Sequence, residues 1–461
     1  MVNQKPPMPE GHWLLGHLSG YQEDSLKYEK YIAKTFGDVV HIRWLNRHAY
    51  QINHPDDVRK VLVDEADKFI KAPIYKLLLS QFLGNGLLTS DGDFWRRQRK
   101  LAQPAFHYKR IQTYAQVMVD YTLRMLEGWQ PDEVRDINHD MMRLTLSVVS
   151  NTLFNVDIEK SASQIGDALT VLLEETTKKV QSPIQLIPEW VPTEGNRKRS
   201  EAVRVLDEII MGIINERRAA NEDQGDLLSM LMLAEDEDGN HMTDKQLRDE
   251  CVTLVLAGHE TTANALAWTW YLLSQHPQVE AKLHEELEHV LGNRLPTTED
   301  LKQLEYTDMV IKESMRLYPP IPTIARQTKE EIVLGGYPVP KGMIINISPH
   351  VIHRDPRWYD DPDTFRPERF TKEFEKQLPK CAYLPFSNGP RVCIGNTFAT
   401  MEAVLILATM AQRYRLSLVP GQEVAPQATL TLRPRENIKM TPEARQPVVT
   451  STGQVPQLAQ A

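Results

Sequence analysis

Apolar residues recur at helical spacing through most of the stretch from Trp95 to about Lys312. Residues 38–54 instead mix alternation with β-branched and aromatic side chains, as a short hairpin does. Thr243 followed by Gln246 is a capping-box pattern, and the pattern continues to His276-Pro277. This predicts a helix of about 33 residues, roughly 50 Å long at 1.5 Å per residue, which has to cross the whole core. Thr307 is placed to cap a further helix ending at Tyr318-Pro319-Pro320. The Pro- and Gly-punctuated residues 331–347 read as short strands, and residues 394–414 as another helix with an apolar face. Residues 446–461 are polar and aperiodic, which predicts a disordered tail. With no internal repeat and no linker-like stretch before that tail, the expected architecture is one large domain over residues 1–445. It should be mainly α with a smaller β-rich portion (α+β).

Composition narrows function more than fold. A chain of 461 residues with 41% hydrophobic content is neither disordered nor fibrous. Its formal net charge of -9 provides no global basic field for phosphates, so no nucleic-acid partner is expected. The cysteines, Cys251, Cys381 and Cys393, are odd in number and far apart, which suits a reducing cytoplasm better than a disulfide framework or a structural zinc site. The opening MVNQKPPMPEGHWLLGHL has no apolar run of signal-peptide or membrane-span length. The stretch Cys251 to Leu273 is long enough to span a bilayer, but carries His259, Glu260 and Asn264 at its centre. It reads as a buried core helix, and no transmembrane anchor is expected.

The segment Phe386-Ser-Asn-Gly389-Pro-Arg391-Val-Cys393-Ile-Gly395 sets one cysteine in a glycine-punctuated loop just before a helix. Free amide N–H groups and the positive end of the helix dipole favour a thiolate there, as nucleophile or metal ligand. Gly389 and Gly395 let the backbone approach a flat object, and Arg391 can meet an anionic group on it. A thiolate on haem iron fits these parts. Cys251 and Cys381 read as buried and inert.

This decapeptide resembles the signature of the cytochrome P450 family of haem-thiolate monooxygenases, and the likeness runs from about Pro6 to Arg435. Ser387 departs from the glycine usual after the Phe, a place where a small side chain should fit. The resemblance implies that Cys393 is the proximal ligand of haem b, that Phe386 packs on the ligand loop and that Arg391 pairs with a haem propionate. Trp95 and Arg99, one helical turn apart, and Arg326 match further propionate positions. Exposed basic residues near them (Arg96, Arg97, Lys100) would receive an acidic electron donor, although a solvated basic helix gives the same pattern. Ala257-Gly258-His259-Glu260-Thr261-Thr262, midway along the long helix, resembles the family's oxygen-side motif. Small residues admit the flat ligand, Thr261 bends the helix ladder and holds water, and Glu260 with Thr261 delivers protons; a Thr-rich kink with a salt-bridged Glu is the plainer reading. Glu313 and Arg316, three apart on one helix face, resemble with Arg369 a buried structural network.

Two other patterns carry no site. His284 and His289 are five apart, about 140° around a helix, so the helix holding them reads as solvated and charged. Gly84-Asn85-Gly86 lacks the third glycine of a dinucleotide fingerprint.

The activity implied is insertion of one atom of O2 into a small lipophilic substrate. The electrons would come from NAD(P)H through separate redox partners, either a ferredoxin or flavodoxin with its reductase or a diflavin reductase. A peroxide-driven peroxygenase and a non-catalytic haem sensor are the alternatives. Leu88, Ala257, Ile324 and Leu430 fall at family positions overhanging the haem, and all are apolar. Arg47 and Tyr50, in the N-terminal hairpin, match residues that hold a fatty-acid carboxylate. An exposed Arg and Tyr are also ordinary surface, and a terpenoid is the competing substrate.

Overall fold

The computed structural model describes residues 5–130, 132–155, 159–181, 190–220 and 223–445, so the tail expected at 446–461 lies outside the described residues. The central helix, Asp244–Gln275, opens on the expected capping box: Gln246 N donates to Thr243 Oγ1 (3.3 Å) and Thr243 N to Gln246 Oε1 (2.8 Å). It is buried around most of its circumference, as a helix crossing a core must be. Helices Ile137–Phe154, Glu305–Leu317 and Asn396–Arg413 pack on it. A Cβ at Gly258 would lie 3.1 Å from Val149 Cγ2, so this glycine serves close helix approach. Thr145 Oγ1 ties the same two helices by donating to the His259 carbonyl at 2.9 Å.

The helix expected to start at Thr307 begins at Glu305. Its first amides are capped from outside by Glu286, whose carboxylate accepts from Tyr306 N (2.5 Å), Thr307 N (2.8 Å) and Thr307 Oγ1 (2.7 Å). This also corrects the purely solvated reading of the neighbouring helix, Pro277–Leu291. Besides the Glu286 cap, it buries Val279, Leu283, Leu287 and Leu291 along one face. No cluster of three metal-binding side chains forms among the described residues, at His284 or elsewhere.

The largest sheet has five strands in the order Val39–Trp44, Arg47–Ile52, Ile344–Ile347, Ile324–Thr328, Phe69–Lys71. Arg47–Ile52 runs parallel to Ile344–Ile347 and the other pairings are antiparallel. The expected hairpin and the strands between 331 and 347 are therefore present. A small hairpin, Pro426–Ala428 with Leu432–Pro434, lies against the central helix.

Glu313, Arg316 and Arg369 meet in the interior. Arg316 Nε and Nη2 donate to Glu313 at 2.6 and 2.8 Å, and Arg369 Nε at 3.3 Å. Arg316 also donates to the carbonyls of His353 (2.8 Å) and Pro362 (2.6 Å). His353 in turn accepts from Leu384 N at 2.7 Å, just before the Phe386 loop. Burial, reinforced by Arg316, pushes His353 down to about 3, so its imidazole stays neutral and can accept. The network thus anchors the approach to the cysteine loop.

Candidate active site

Cys393 faces a large cavity between its own loop and the central helix. Of the three cysteines, it is the one whose sulfur opens onto that space; Cys251 and Cys381 are buried in packing. The loop is fixed by its backbone. Cys393 N donates to Phe386 O at 3.0 Å, and the Arg99 guanidinium donates to Val392 O at 2.7 Å. Gly389 has φ 73°, and a Cβ there would lie 1.8 Å from the Leu62 carbonyl oxygen, so glycine is required. Ser387 also sits in the left-handed region, φ 60°, which is the conformation that explains the family's glycine there.

The thiol environment carries opposing influences. Burial pushes the thiol pKa up, against the Gly395 N–H and Arg99, which pull it down.

The same cavity gathers cations. Lys71 and Arg326 are direct cross-strand partners, like charges that repel one another, and Lys71 Nζ donates to the carbonyls of Leu87 (3.3 Å) and Leu88. Arg391 joins them, contacting Asp91 through one nitrogen and the Ser90 carbonyl through another (3.1 Å), with its guanidinium 4.2 Å from the Trp95 ring centroid. Burial pushes Lys71 well below the usual lysine range and Arg391 down to about 10, and it lowers Arg326. Asp91 and Glu250 only partly offset three desolvated cations. Two carboxylates on a bound ligand would complete the balance, and with a free sulfur on the same cavity this set fits haem. Cys393 would hold the iron; Lys71, Arg326 and Arg391 would hold the propionates. Lys71 went unnoticed in the sequence, where nothing local marks it. Trp95 supports Arg391, and Arg99 is turned to Val392 O.

On the oxygen side, Ala257, Gly258, Glu260 and Thr261 line the cavity. Thr261 Oγ1 donates to the Ala257 carbonyl at 2.6 Å, within a helix that stays continuous. Glu260 is ion-paired: its Oε1 accepts from Arg433 Nε and Thr431 Oγ1, each at 2.6 Å. The salt-bridged reading of this Glu thus describes its resting geometry. Leu88, Ile324 and Leu430 also line the cavity. Behind Thr262 lies Glu402, fully buried, its carboxyl pushed up to about 8 by desolvation.

Arg47 and Tyr50 do not form the expected carboxylate site. Three residues apart on one strand, they point to opposite faces: Arg47 is exposed while Tyr50 packs in the core. On the basic helix Gly92–Ala102 the cations make ion pairs within the chain while Arg96 and Lys100 stay exposed. Arg96 pairs with Asp93, Arg97 with Asp236 (2.6 Å) and Lys100 with Glu237. The glycines at 84–86 do surround an anion, but it is the chain's own Asp249. Its carboxylate accepts from Asn85 N at 2.8 Å and would overlap a Cβ at Gly84.

A mainly helical domain that offers a single cysteine to a flat, dianionic ligand beneath a helix bearing acid and hydroxyl groups defines a haem-thiolate protein. The family model described as Cytochrome P450 matches residues 6–442, and the chain belongs to that family. Cyclooctatin synthase of Streptomyces melanosporofaciens is 39% identical over 95% of each chain. Cyclooctat-9-en-7-ol 5-monooxygenase from the same organism is 38% identical over 88% of each chain. Pentalenene oxygenase of Streptomyces avermitilis is 32% identical over 89% of this chain and 91% of its own. The protein is a cytochrome P450 monooxygenase, and the family implies haem b, O2, a lipophilic substrate and redox partners. Among the described residues, no helix is long and apolar enough to cross a membrane.

Proposed function

We propose that this enzyme hydroxylates a neutral, terpenoid-like lipophile. Haem b, when bound, supplies the binding and reductive activation of O2 and the transfer of one oxygen atom. The chain's own residues do the rest. Cys393 holds the iron; Lys71, Arg326 and Arg391 neutralise the propionates. Leu88, Ala257, Ile324 and Leu430 exclude water and orient hydrocarbon, and Glu260 with Thr261 handles protons.

The observation that carries the substrate reading is this apolar ring in the cavity, combined with Arg47 and Tyr50 facing opposite ways. A fatty acid would lack an anchor for its carboxylate there, whereas a polycyclic alcohol or olefin needs none. The relatives named for cyclooctat-9-en-7-ol and pentalenene support the same choice. The test is an optical titration of the ferric protein with matched sets of terpenes, fatty acids and fatty alcohols. A low- to high-spin shift at micromolar terpene, and weaker response to the acids, is expected. Tight binding of acids but not of their alcohols, abolished by Arg47→Ala, would reverse the assignment.

Electrons would come from NAD(P)H through an acidic ferredoxin or flavodoxin. Since Arg96, Arg97 and Lys100 have partners within the chain, Lys109 and Arg110, exposed on the short helix Tyr108–Ile111, are the better docking cations. Lys109→Glu with Arg110→Glu should slow reduction by such a donor and flatten its salt dependence. Glu260 and Thr261 at the cavity favour O2 over peroxide as oxidant. Turnover with peroxide outpacing turnover with a surrogate reductase would favour a peroxygenase.

A further inference from the structure

Two consecutive acids lie buried about three turns before Thr261 on the central helix: Asp249 is 3% exposed and Glu250 0%. They bind alternate amides of the loop that joins helix Pro73–Leu83 to helix Gly92–Ala102. Asp249 Oδ2 accepts from Asn85 N at 2.8 Å, and Glu250 Oε2 from Leu87 N at 3.0 Å. Between the two amides, Gly86 lies directly on the helix. A Cβ there would be 2.4 Å from Thr253 Oγ1 and 2.8 Å from the Asp249 carbonyl oxygen. The second oxygen of Glu250, Oε1, accepts from Gln98 Nε2 at 3.3 Å, so the carboxylate is held on both sides.

The other end of the same residue is taken by a cation. Lys71 Nζ donates to Leu87 O at 3.3 Å and to Leu88 O. Leu87 is therefore gripped at its N–H from the central helix and at its C=O from strand Phe69–Lys71. Leu88, the next residue, lines the cavity that Cys393 faces. Behind it, Thr89 N and Ser90 N donate to Gly86 O at 3.0 and 2.9 Å, which closes the loop on itself. Leu88 cannot retreat from the cavity without stretching one of these bonds. A shift of about 0.5 Å is enough to take a 3.0 Å N–H···O contact out of the normal range.

We propose that Glu250 is a positioning residue: through Leu87 N it fixes how far Leu88 projects over the iron, and so how bulky a group the cavity admits there. It exchanges no proton and touches neither substrate nor cofactor. A ligand too tall for the space has to push Leu88 outward and give up the bond between Leu87 and Glu250. Its affinity then carries the cost of a hydrogen bond to a carboxylate, about tenfold, which a small ligand escapes. The proposal rests on the placing of haem at Cys393 with Leu88 above it.

The test is an optical titration of the ferric, haem-loaded protein with imidazole and with 4-phenylimidazole, which both bind iron through nitrogen and differ in bulk. The wild type is compared with Glu250→Leu, Glu250→Gln, Leu88→Ala and the double variant Leu88→Ala with Glu250→Leu. Glu250→Leu should bind 4-phenylimidazole about tenfold more tightly and leave imidazole unchanged. Glu250→Gln offers Leu87 N a neutral acceptor, roughly half as strong, so its gain should be about threefold. Leu88→Ala should itself favour 4-phenylimidazole, and adding Glu250→Leu to it should change nothing further. A side chain that only stabilised the fold would not separate the two ligands. Amide hydrogen exchange at residues 84–90 should be severalfold faster in Glu250→Leu and close to wild type in Glu250→Gln. Where Glu250→Leu does not retain haem, the threefold change in Glu250→Gln carries the test. An affinity ratio for the two ligands that stays at the wild-type value in the Glu250 variants, while Leu88→Ala alters it, would overturn the proposal. A ratio unmoved by Leu88→Ala would instead overturn the placing of Leu88 over the iron, so the two failures are distinct.

Discussion

The Arg99 guanidinium donates to the Val392 carbonyl at 2.7 Å, one residue before the cysteine that faces the cavity. It therefore holds the backbone of the ligand loop and also favours negative sulfur on Cys393. Arg99→Leu should loosen this loop by about 2 kcal/mol, the usual worth of a charged hydrogen bond. The checking measurement is thermal loss of the red-shifted Soret band of the reduced CO complex. That band should disappear at lower temperature in Arg99→Leu and be absent in Cys393→Ala, while Cys381→Ala keeps it. Persistence in Cys393→Ala would remove Cys393 as ligand.

Ser387 combines a left-handed φ of 60° with a buried hydroxyl that has no hydrogen-bond partner among the described residues. Both costs disappear in glycine, offset in part by its greater freedom in the unfolded chain. Ser387→Gly should gain about 1 kcal/mol, and Ser387→Val should lose more than that because a β-branched side chain is strained at positive φ. Thermal unfolding of the two variants beside the wild type decides it. A lower midpoint for Ser387→Gly would mean that the hydroxyl has a favourable use in the holoenzyme.

What could be read from the chain alone follows the range of the interactions. The Cys393 loop, the Thr243 capping box and the central helix are local, so their geometry is written in neighbouring residues. Lys71 opposite Arg326, Glu286 capping a different helix, and Arg433 on Glu260 all join distant segments. No local pattern announces them. The Arg47 and Tyr50 pairing is another matter: the hairpin was expected, and its period of two already places residues three apart on opposite faces.

Thr261 Oγ1 donates to Ala257 O, which fixes the hydroxyl on the cavity side of the helix with its lone pairs free to accept from water. Thr261→Ala should therefore keep haem and substrate affinity but lower product formed per NAD(P)H consumed by about tenfold, with the balance appearing as peroxide. Thr261→Ser should retain most of the coupling. Equal coupling in wild type and Thr261→Ala would show that the hydroxyl only packs the helix.

Glu402 lies behind Thr262 in the helix that follows Cys393, fully buried, with both carboxyl oxygens otherwise unpartnered in direct geometry. Thr262 lowers its proton affinity slightly, but desolvation dominates and pushes the pKa up to about 8. The folded protein therefore keeps this proton from the ordinary carboxyl range up to about pH 8, where the unfolded chain has released it. Native protein binds the extra proton, so the contribution of Glu402 to stability falls as pH rises through that window and levels off above it. At ~1.4 kcal/mol per unit, the effect between pH 5 and pH 8 is roughly 4 kcal/mol. Glu402→Gln has no proton to lose. Its thermal midpoint relative to wild type should climb steadily from pH 5 to pH 8, with the two proteins most alike at the acid end. A difference that stays constant over this range would mean that the carboxyl is solvated or paired in the holoenzyme.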